Sequence, residues 1–307
     1  MYMLKVTFLG TGGSLPTTNR NPSAIMVNRD GELIMFDCGE GAQQQMMRAK
    51  TGMMNLSSIF ITHFHADHIL GIPGLVQTMS FQGRTEPLTI YGPEWVEEFI
   101  KFLTAMGYYK LKFEINAVRL KSGESIKRDG YSIVALKTEH NVPSIGYALV
   151  EDERPGRFDR DKAIEFGVPV GPLFSKLHHG GSVEVDGRVV SAEDVVGEAR
   201  PGRTIVYSGD TRPCLDVLKA SDGADLLIHD STLADNMLDW AKEAMHSTAG
   251  EAAALAKKAG VKKLVLTHLS SRYSDDATPL LNDAKELFED VILAEDLLVI
   301  EVPFSDD

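Results

Sequence analysis

The chain has 307 residues, 43% of them hydrophobic and 24% charged, with a net charge of −13 from 44 acidic and 31 basic side chains. These proportions exclude a disordered or fibrous protein and argue against a non-specific nucleic-acid coat, which grips phosphates with lysine and arginine. A local basic groove, or a site where metal ions supply the positive charge, stays compatible with them.

Short apolar runs alternate with helical patterns, and glycine or proline marks the joints. KVTFLGTGG, SAIMVN, GELIMFDCGEG and SSIFITH read as the first strands, with a helix in AQQQMMRAK. PLTIYGP follows as a strand and EWVEEFIKFLTAMGYY as an amphipathic helix. YSIVALKTEH, SIGYALVED, RTIVYSGDT and ADLLIHDST read as strands. The end alternates as helix STAGEAAALAKKAG, strand KKLVLTHLS, helix PLLNDAKELFED and strand DLLVIEV. An α/β protein with many strands is expected, without internal repeats. About residues 151–200, rich in charge, glycine and proline, break the rhythm. Beyond a short helix around DRDKAIEFG and a small hairpin at VEVDGRVV, this segment lacks core-forming periodicity, as an insertion protruding from a domain spanning 1–307 would.

No run approaches the roughly 20 apolar residues of a membrane span, and the start, MYMLKVTFLG, lacks the regions of a signal peptide. Only Cys38 and Cys214 are present, which suits a reducing cytoplasm better than a disulfide framework. One disulfide between them is compatible with the sequence.

The strand SSIFITH runs into THFHADH, which places His63, His65, Asp67 and His68 within six residues. In extended chain His63 and His65 point to one side and can share an ion, while Asp67 and His68 project differently and invite a second. Imidazole nitrogen and carboxylate oxygen are ligands that Zn²⁺ takes readily, though manganese could occupy the same donor set. His140, Asp210 and His268 each end a predicted strand. In α/β sheets the carboxyl ends of strands share an edge, so these distant segments can converge on one pocket. Singly, His140 or His268 would more often be an ordinary partly buried histidine.

THFHADH with His140, SGDT with Asp210, and THLSSRY with His268 resemble the metallo-β-lactamase superfamily. The resemblance implies an αββα four-layer sandwich with two Zn²⁺ ions at one edge. By it, His63, His65 and His140 would hold one ion, Asp67, His68 and His268 the other, and Asp210 would bridge them, with Asp37 supporting from behind. FLGTGGSLPTTNRNPSAI, FDCGEGAQ, HFHADHILGIPGL, HDST, HST and THLSSRY are similar, more narrowly, to the ribonuclease Z family of precursor-tRNA 3′ endonucleases. That similarity makes Asp67 and His246 the catalytic candidates. Asp67 would orient or deprotonate a water activated by the zinc pair, and His246 would be the general acid for the departing ribose 3′-oxygen.

Asp230 would orient His246, but it stands where the family commonly has glutamate, so its shorter reach decides that role. His229 is read as a buried strand-end histidine, and Arg272 as a residue steadying a substrate phosphate. FGVPVGPLFSKL resembles the family's flexible-arm motif, with Gly171, Pro172 and Lys176 as tRNA contacts beside Arg154, Arg157, Arg160 and Lys162. His178 and His179 are read as surface or RNA-contacting residues. The family also implies a homodimer in which one subunit's arm presents precursor tRNA to the other's site. A small-substrate or cyclic phosphodiesterase would share the zinc set but have no use for the arm. An RNA-binding module with a vestigial site would have no need of the seven ligands and His246.

Overall fold

The computed structural model describes residues 3–107 and 110–304. Two units separate by their internal packing: residues 1–150 with 204–307, and residues 151–203. Fourteen strands of the first unit form two sheets. In chain order they are β1 (Leu4–Gly10), β2 (Ala24–Arg29), β3 (Glu32–Phe36), β4 (Leu56–Phe60), β5 (Leu88–Gly92), β6 (Ile115–Arg119) and β7 (Ser125–Arg128). The others are β8 (Tyr131–Lys137), β9 (Ile145–Glu151), β10 (Thr204–Tyr207), β11 (Leu226–Asp230), β12 (Leu264–Thr267), β13 (Val291–Leu293) and β14 (Val299–Glu301). One sheet has the order β14-β1-β2-β3-β4-β5-β6, and the other β13-β12-β11-β10-β9-β8-β7.

The apolar runs are nearly continuous because both faces of most strands are buried, and the two-residue period sorts their side chains between different cores. Val6, Phe8, Ile25, Val27, Ile34 and Phe36 meet Tyr147, Ile205, Ile228 and Val265 in a core between the sheets. The alternate residues Met26, Leu33, Met35 and Ile59 pack against the helices Ala42–Ala49, Gly71–Phe81 and Val96–Ala105. On the far side Leu227, Leu264 and Leu266 pack on the helices Leu215–Ala220, Ala249–Ala259 and Thr278–Lys285. Three cores therefore separate four layers, helix–sheet–sheet–helix. No helix among the described residues is long and apolar enough to cross a membrane.

Several boundaries differ from the sequence expectation for local reasons. The strand predicted through Gly41 stops at Phe36, because Asp37 turns into the left-handed region at φ 53°. DLLVIEV forms a strand only from Val299, since Leu297 at φ 70° is left-handed as well. The helix predicted over 94–109 spans Val96–Ala105, and its last two predicted residues, 108 and 109, lie outside the described ones. The unpredicted helix Gly71–Phe81 carries two glycines and a proline, but Pro73 sits in its first turn, where no donor is lost. Strands β6 and β7 alternate too weakly between buried and exposed positions to announce themselves.

The second unit builds a core although its segment shows no core-forming periodicity. Ala163, Val168, Leu177, Val183, Val190 and Val195 make a small core of their own, spaced too irregularly to show a period. The expected helix is Arg160–Glu165, capped by the Asp159 side chain. The expected hairpin pairs Ser182–Val185 with Arg188–Ser191, its turn made by Asp186 and Gly187 at positive φ. Gly171 and Pro172 open an unpredicted helix, Pro172–His178, where proline costs no hydrogen bond.

Candidate functional site

The carboxyl ends of β3, β4, β8, β10, β11 and β12 lead directly into Asp37, His63, His140, Asp210, Asp230 and His268. β3–β4, β10–β11 and β11–β12 pair in parallel, so within each sheet these ends share one edge. After β4 the chain turns at His65 into the short helix Ala66–Ile69, which carries Asp67 and His68 back toward His63.

Donor atoms of His63, His65, His140 and Asp210 lie within 4.8 Å of one another, as do those of Asp67, His68 and His268. Asp210 adjoins both groups: its Oδ2 is 3.6 Å from His63 Nε2, 3.3 Å from His68 Nε2 and 3.2 Å from His268 Nε2. All seven predicted ligands thus meet in one cluster.

Four imidazoles are tethered from behind through Nδ1. His63 donates to Thr62 Oγ1 at 3.0 Å, and His68 to Asp37 Oδ2 at 2.8 Å. His140 donates to the Met245 carbonyl at 3.1 Å, and His268 to Thr232 Oγ1 at 2.8 Å. Each tether leaves Nε2 as a lone pair aimed into the cluster, as metal-binding histidines are usually held. His65 aims Nδ1 instead, 3.0 Å from His63 Nε2 and 3.4 Å from His140 Nε2. Lone pairs that close repel unless a proton or a metal cation lies between them. His68 Nε2 and Asp210 Oδ1, both buried, have no hydrogen-bond partner among the described residues. Orphaned buried groups of this kind call for a ligand, and the donor set fits a divalent metal.

Electrostatics point the same way. Burial opposes the charged form of His68, but Asp210 and Asp37 outweigh it and lift its pKa well above the usual histidine range. Burial likewise opposes ionisation of Asp210, yet His268, His68 and His63 hold its pKa well below the ordinary value. The cluster therefore attracts positive charge. His63 is pushed the other way, its pKa lowered chiefly by burial.

Sequence reasoning missed much of the support. Ser14 donates its backbone N–H to Asp67 Oδ2 at 2.7 Å. Residues 12–13 pair with Leu269 and Ser270, and a Cβ on Gly13 would stand 2.5 Å from the His268 ring, so only glycine admits that ring here. Asp37, which the resemblance did place behind the site, accepts from the Thr62 backbone and hydroxyl and from Tyr207 as well as from His68. Asp37→Asn is expected to weaken divalent-metal binding about 10- to 100-fold, the usual loss for such a supporting carboxylate. Equilibrium dialysis against a metal buffer checks this; unchanged affinity would remove Asp37 from the design of the site.

Beside the cluster, His246 donates from Nδ1 to Asp230 Oδ2 at 2.8 Å. The shorter carboxylate does reach, because β11 ends at Asp230 itself and the loop after the helix Leu238–Ala244 folds back over it. Asp230 is saturated by Thr211 N–H, Thr232 N–H and the Thr232 hydroxyl as well. Although donor atoms of Asp210, Asp230, His246 and His268 could also group around an ion, this saturation leaves Asp230 a poor ligand. Burial opposes charge on His246, but Asp230 outweighs it and lifts the pKa to about 9, so the ring holds a proton near neutrality. Arg212 clasps the His246 carbonyl and pairs with Glu251, whose other role is to complete the capping box of the helix Ala249–Ala259.

Not every predicted residue joins this assembly. Arg272 stacks over Trp240 at 4.0 Å and contacts Ser270, which puts it beside the cluster in sequence but not against it. Gly171, Pro172 and Lys176 belong to the second unit. His178 Nε2 meets the Gly156 carbonyl within that unit at 3.1 Å. His229 is fully buried, its Nδ1 held by the Asp230 carbonyl, which agrees with its reading as a strand-end histidine.

Residues 194–269 match the family described as Beta-lactamase superfamily domain, and residues 4–156 that of the Anti-Pycsar protein Apyc1. The chain is similar over nearly its whole length to Ribonuclease Z of Methanosarcina acetivorans, at 66% identity over 302 residues, 98% of this chain and 99% of that one. Ribonuclease Z of Haloferax volcanii is 51% identical over 306 residues, 99% of this chain and 96% of the relative. Human tRNase Z, short form, superposes with a TM-score of 0.71 at 31% identity, covering 97% of this chain and 99% of that structure.

Proposed function

Since this chain belongs to the ribonuclease Z family, we propose that it is a metal-dependent endoribonuclease that removes the 3′ trailer from precursor tRNA. Its αββα sandwich is a metallo-β-lactamase fold, and the enzyme is a hydrolase of RNA phosphodiester bonds. The observation that carries the reading is the pairing of a cluster able to hold metal with a separate His246 held by Asp230 at 2.8 Å. Metal binding alone would fit many hydrolases of this fold.

His63, His65 and His140 would hold one Zn²⁺ and Asp67, His68 and His268 a second, with Asp210 near enough to both groups to serve either. Metal bound there would supply an activated water at neutral pH and neutralise charge on the phosphate oxygens. Asp67 orients the attacking water, whose proton passes to solvent. The bond from phosphorus to the ribose 3′-oxygen then breaks, and His246 delivers its proton to that oxygen. The tRNA keeps a 3′-hydroxyl and the trailer a 5′-phosphate. Asp230 fixes the tautomer and direction of His246, and Arg272 steadies a flanking phosphate.

Residues 151–203 serve as the substrate-binding arm, with Gly171, Pro172 and Lys176 touching the tRNA body. Their independent small core supports that reading, since a grip must hold its own shape. The active form is a homodimer, by family resemblance, and works in the cytoplasm, where the two buried free cysteines Cys38 and Cys214 would stay reduced.

The test is to incubate the zinc-loaded protein with a 3′-extended precursor tRNA and map both product ends. A single cut after the discriminator nucleotide, with a 3′-hydroxyl and a 5′-phosphate, is the expected result. An intact tRNA alongside rapid hydrolysis of a small phosphodiester would overturn the substrate while leaving the metal chemistry.

A further inference from the structure

The chain has two tryptophans, and the conformation of Trp95 is not explained by its local structure. Trp95 immediately precedes the helix Val96–Ala105 with a φ of 89°, in the left-handed region. A large L-residue is strained there by its Cβ. Its side chain makes no capping hydrogen bond to the helix, and 49% of the residue stays exposed. Serine or aspartate would cap this helix, and glycine would accept the backbone without strain. Capping, strain and burial all favour another residue, and an outlier of this kind points toward function.

What tryptophan contributes is a flat ring in a particular place. Trp95 follows β5, which pairs in parallel with β4, so both carboxyl ends share the edge that leads to His63 and His65. Its ring meets Phe64 edge-on at 5.3 Å between centroids, and Phe64 is the residue between those two histidines. Phe99 braces both, 5.6 Å from Phe64 and 6.4 Å from Trp95. Part of the indole therefore rests on an aromatic cluster at the base of the metal-binding loop, and the rest faces solvent.

Resting on the reading of the site as an RNA-cleaving one, we propose that Trp95 is a positioning residue, a shelf on which an unpaired nucleobase next to the scissile phosphate stacks. Stacking suits the task because every base has a π-face, so one shelf serves substrates of any sequence at the cut. It also holds the strand without adding charge, in a chain whose net charge is −13.

Two measurements test the shelf. With Trp240→Phe in the background, Trp95 is the sole fluorophore of its kind, and a precursor tRNA with a non-hydrolysable linkage at the cut is expected to quench its emission. Trp95→Gly is expected to keep or raise the melting temperature, yet to raise KM about tenfold with kcat changed less than about twofold, the pattern of lost uniform binding. Trp95→Phe should restore most of that KM. An unchanged KM in Trp95→Gly, or no quenching on RNA binding, would overturn the shelf. If the wild-type protein does not cleave precursor tRNA at all, the functional reading fails instead. Quenching by a short single-stranded oligoribonucleotide then decides the shelf on its own, and its absence removes it.

Discussion

Asp67→Ala is expected to abolish trailer removal, by about 10³-fold or more, on the order of 4 kcal/mol of transition-state stabilisation, while the protein stays folded. Three contacts meet on one oxygen. Asp67 Oδ2 accepts from Ser14 N–H at 2.7 Å and lies 3.3 Å from His268 Nε2 and 3.6 Å from His68 Nε2. Burial resists its ionisation, but the neighbouring side chains of His268 and His68 hold its pKa well below the carboxylate range, so it presents an anion at any working pH. Alanine removes the anion that would bind one metal and align the water. The structural loss is small, about 1 kcal/mol for the Ser14 N–H left without its acceptor. A thermal melt, metal content per subunit and a cleavage assay together check the expectation: a near-native melt, a metal equivalent lost, no product. Retained cleavage would remove Asp67 from both proposed roles.

His246→Ala is expected to lower kcat by about 10²- to 10⁴-fold, the usual contribution of a positioned general acid, with bound metal unchanged. The ring stacks near His268, at 5.1 Å between centroids, and lies 5.2 Å from His140, so it borders the cluster without closing it. Its Nδ1 is committed to Asp230, which leaves Nε2 to face substrate. Asp230→Asn should reproduce much of the loss, again at constant metal content, because the amide no longer supplies the negative charge that holds the proton on His246. The measurement is single-turnover cleavage beside metal analysis. Loss of a metal equivalent in His246→Ala would instead make this histidine a ligand, in the alternative grouping with Asp210, Asp230 and His268.

How far each feature could be read from sequence depended on how local its cause was. The cluster His63-x-His65-x-Asp67-His68 was legible as a dense group of ligand-type residues in which two-residue spacing puts His63 and His65 on one side, while the helix Ala66–Ile69 that brings Asp67 and His68 back was not. His140, Asp210 and His268 were legible only as strand-end polar residues, and resemblance supplied their partnership. The helix Gly71–Phe81 was hidden by its own glycines and proline. At Gly71 a Cβ would stand 2.1 Å from the Gly39 carbonyl oxygen, so packing, not helix propensity, decided that residue. The second unit was hidden similarly, since six small and branched residues scattered over 163–195 make a core without any period.

The alternation of apolar strands and helices and the metal-ligating motif were open to reading in the chain itself, because both follow from residues close together along it. Only the tertiary structure decided that Asp230 reaches His246, that Gly13 makes room for the His268 ring, and that Trp95 sits strained on Phe64. Each of these is a distance of a few ångströms between elements far apart in the chain. Such distances are set by how the two sheets and their helices pack, and no spacing in the chain encodes them singly.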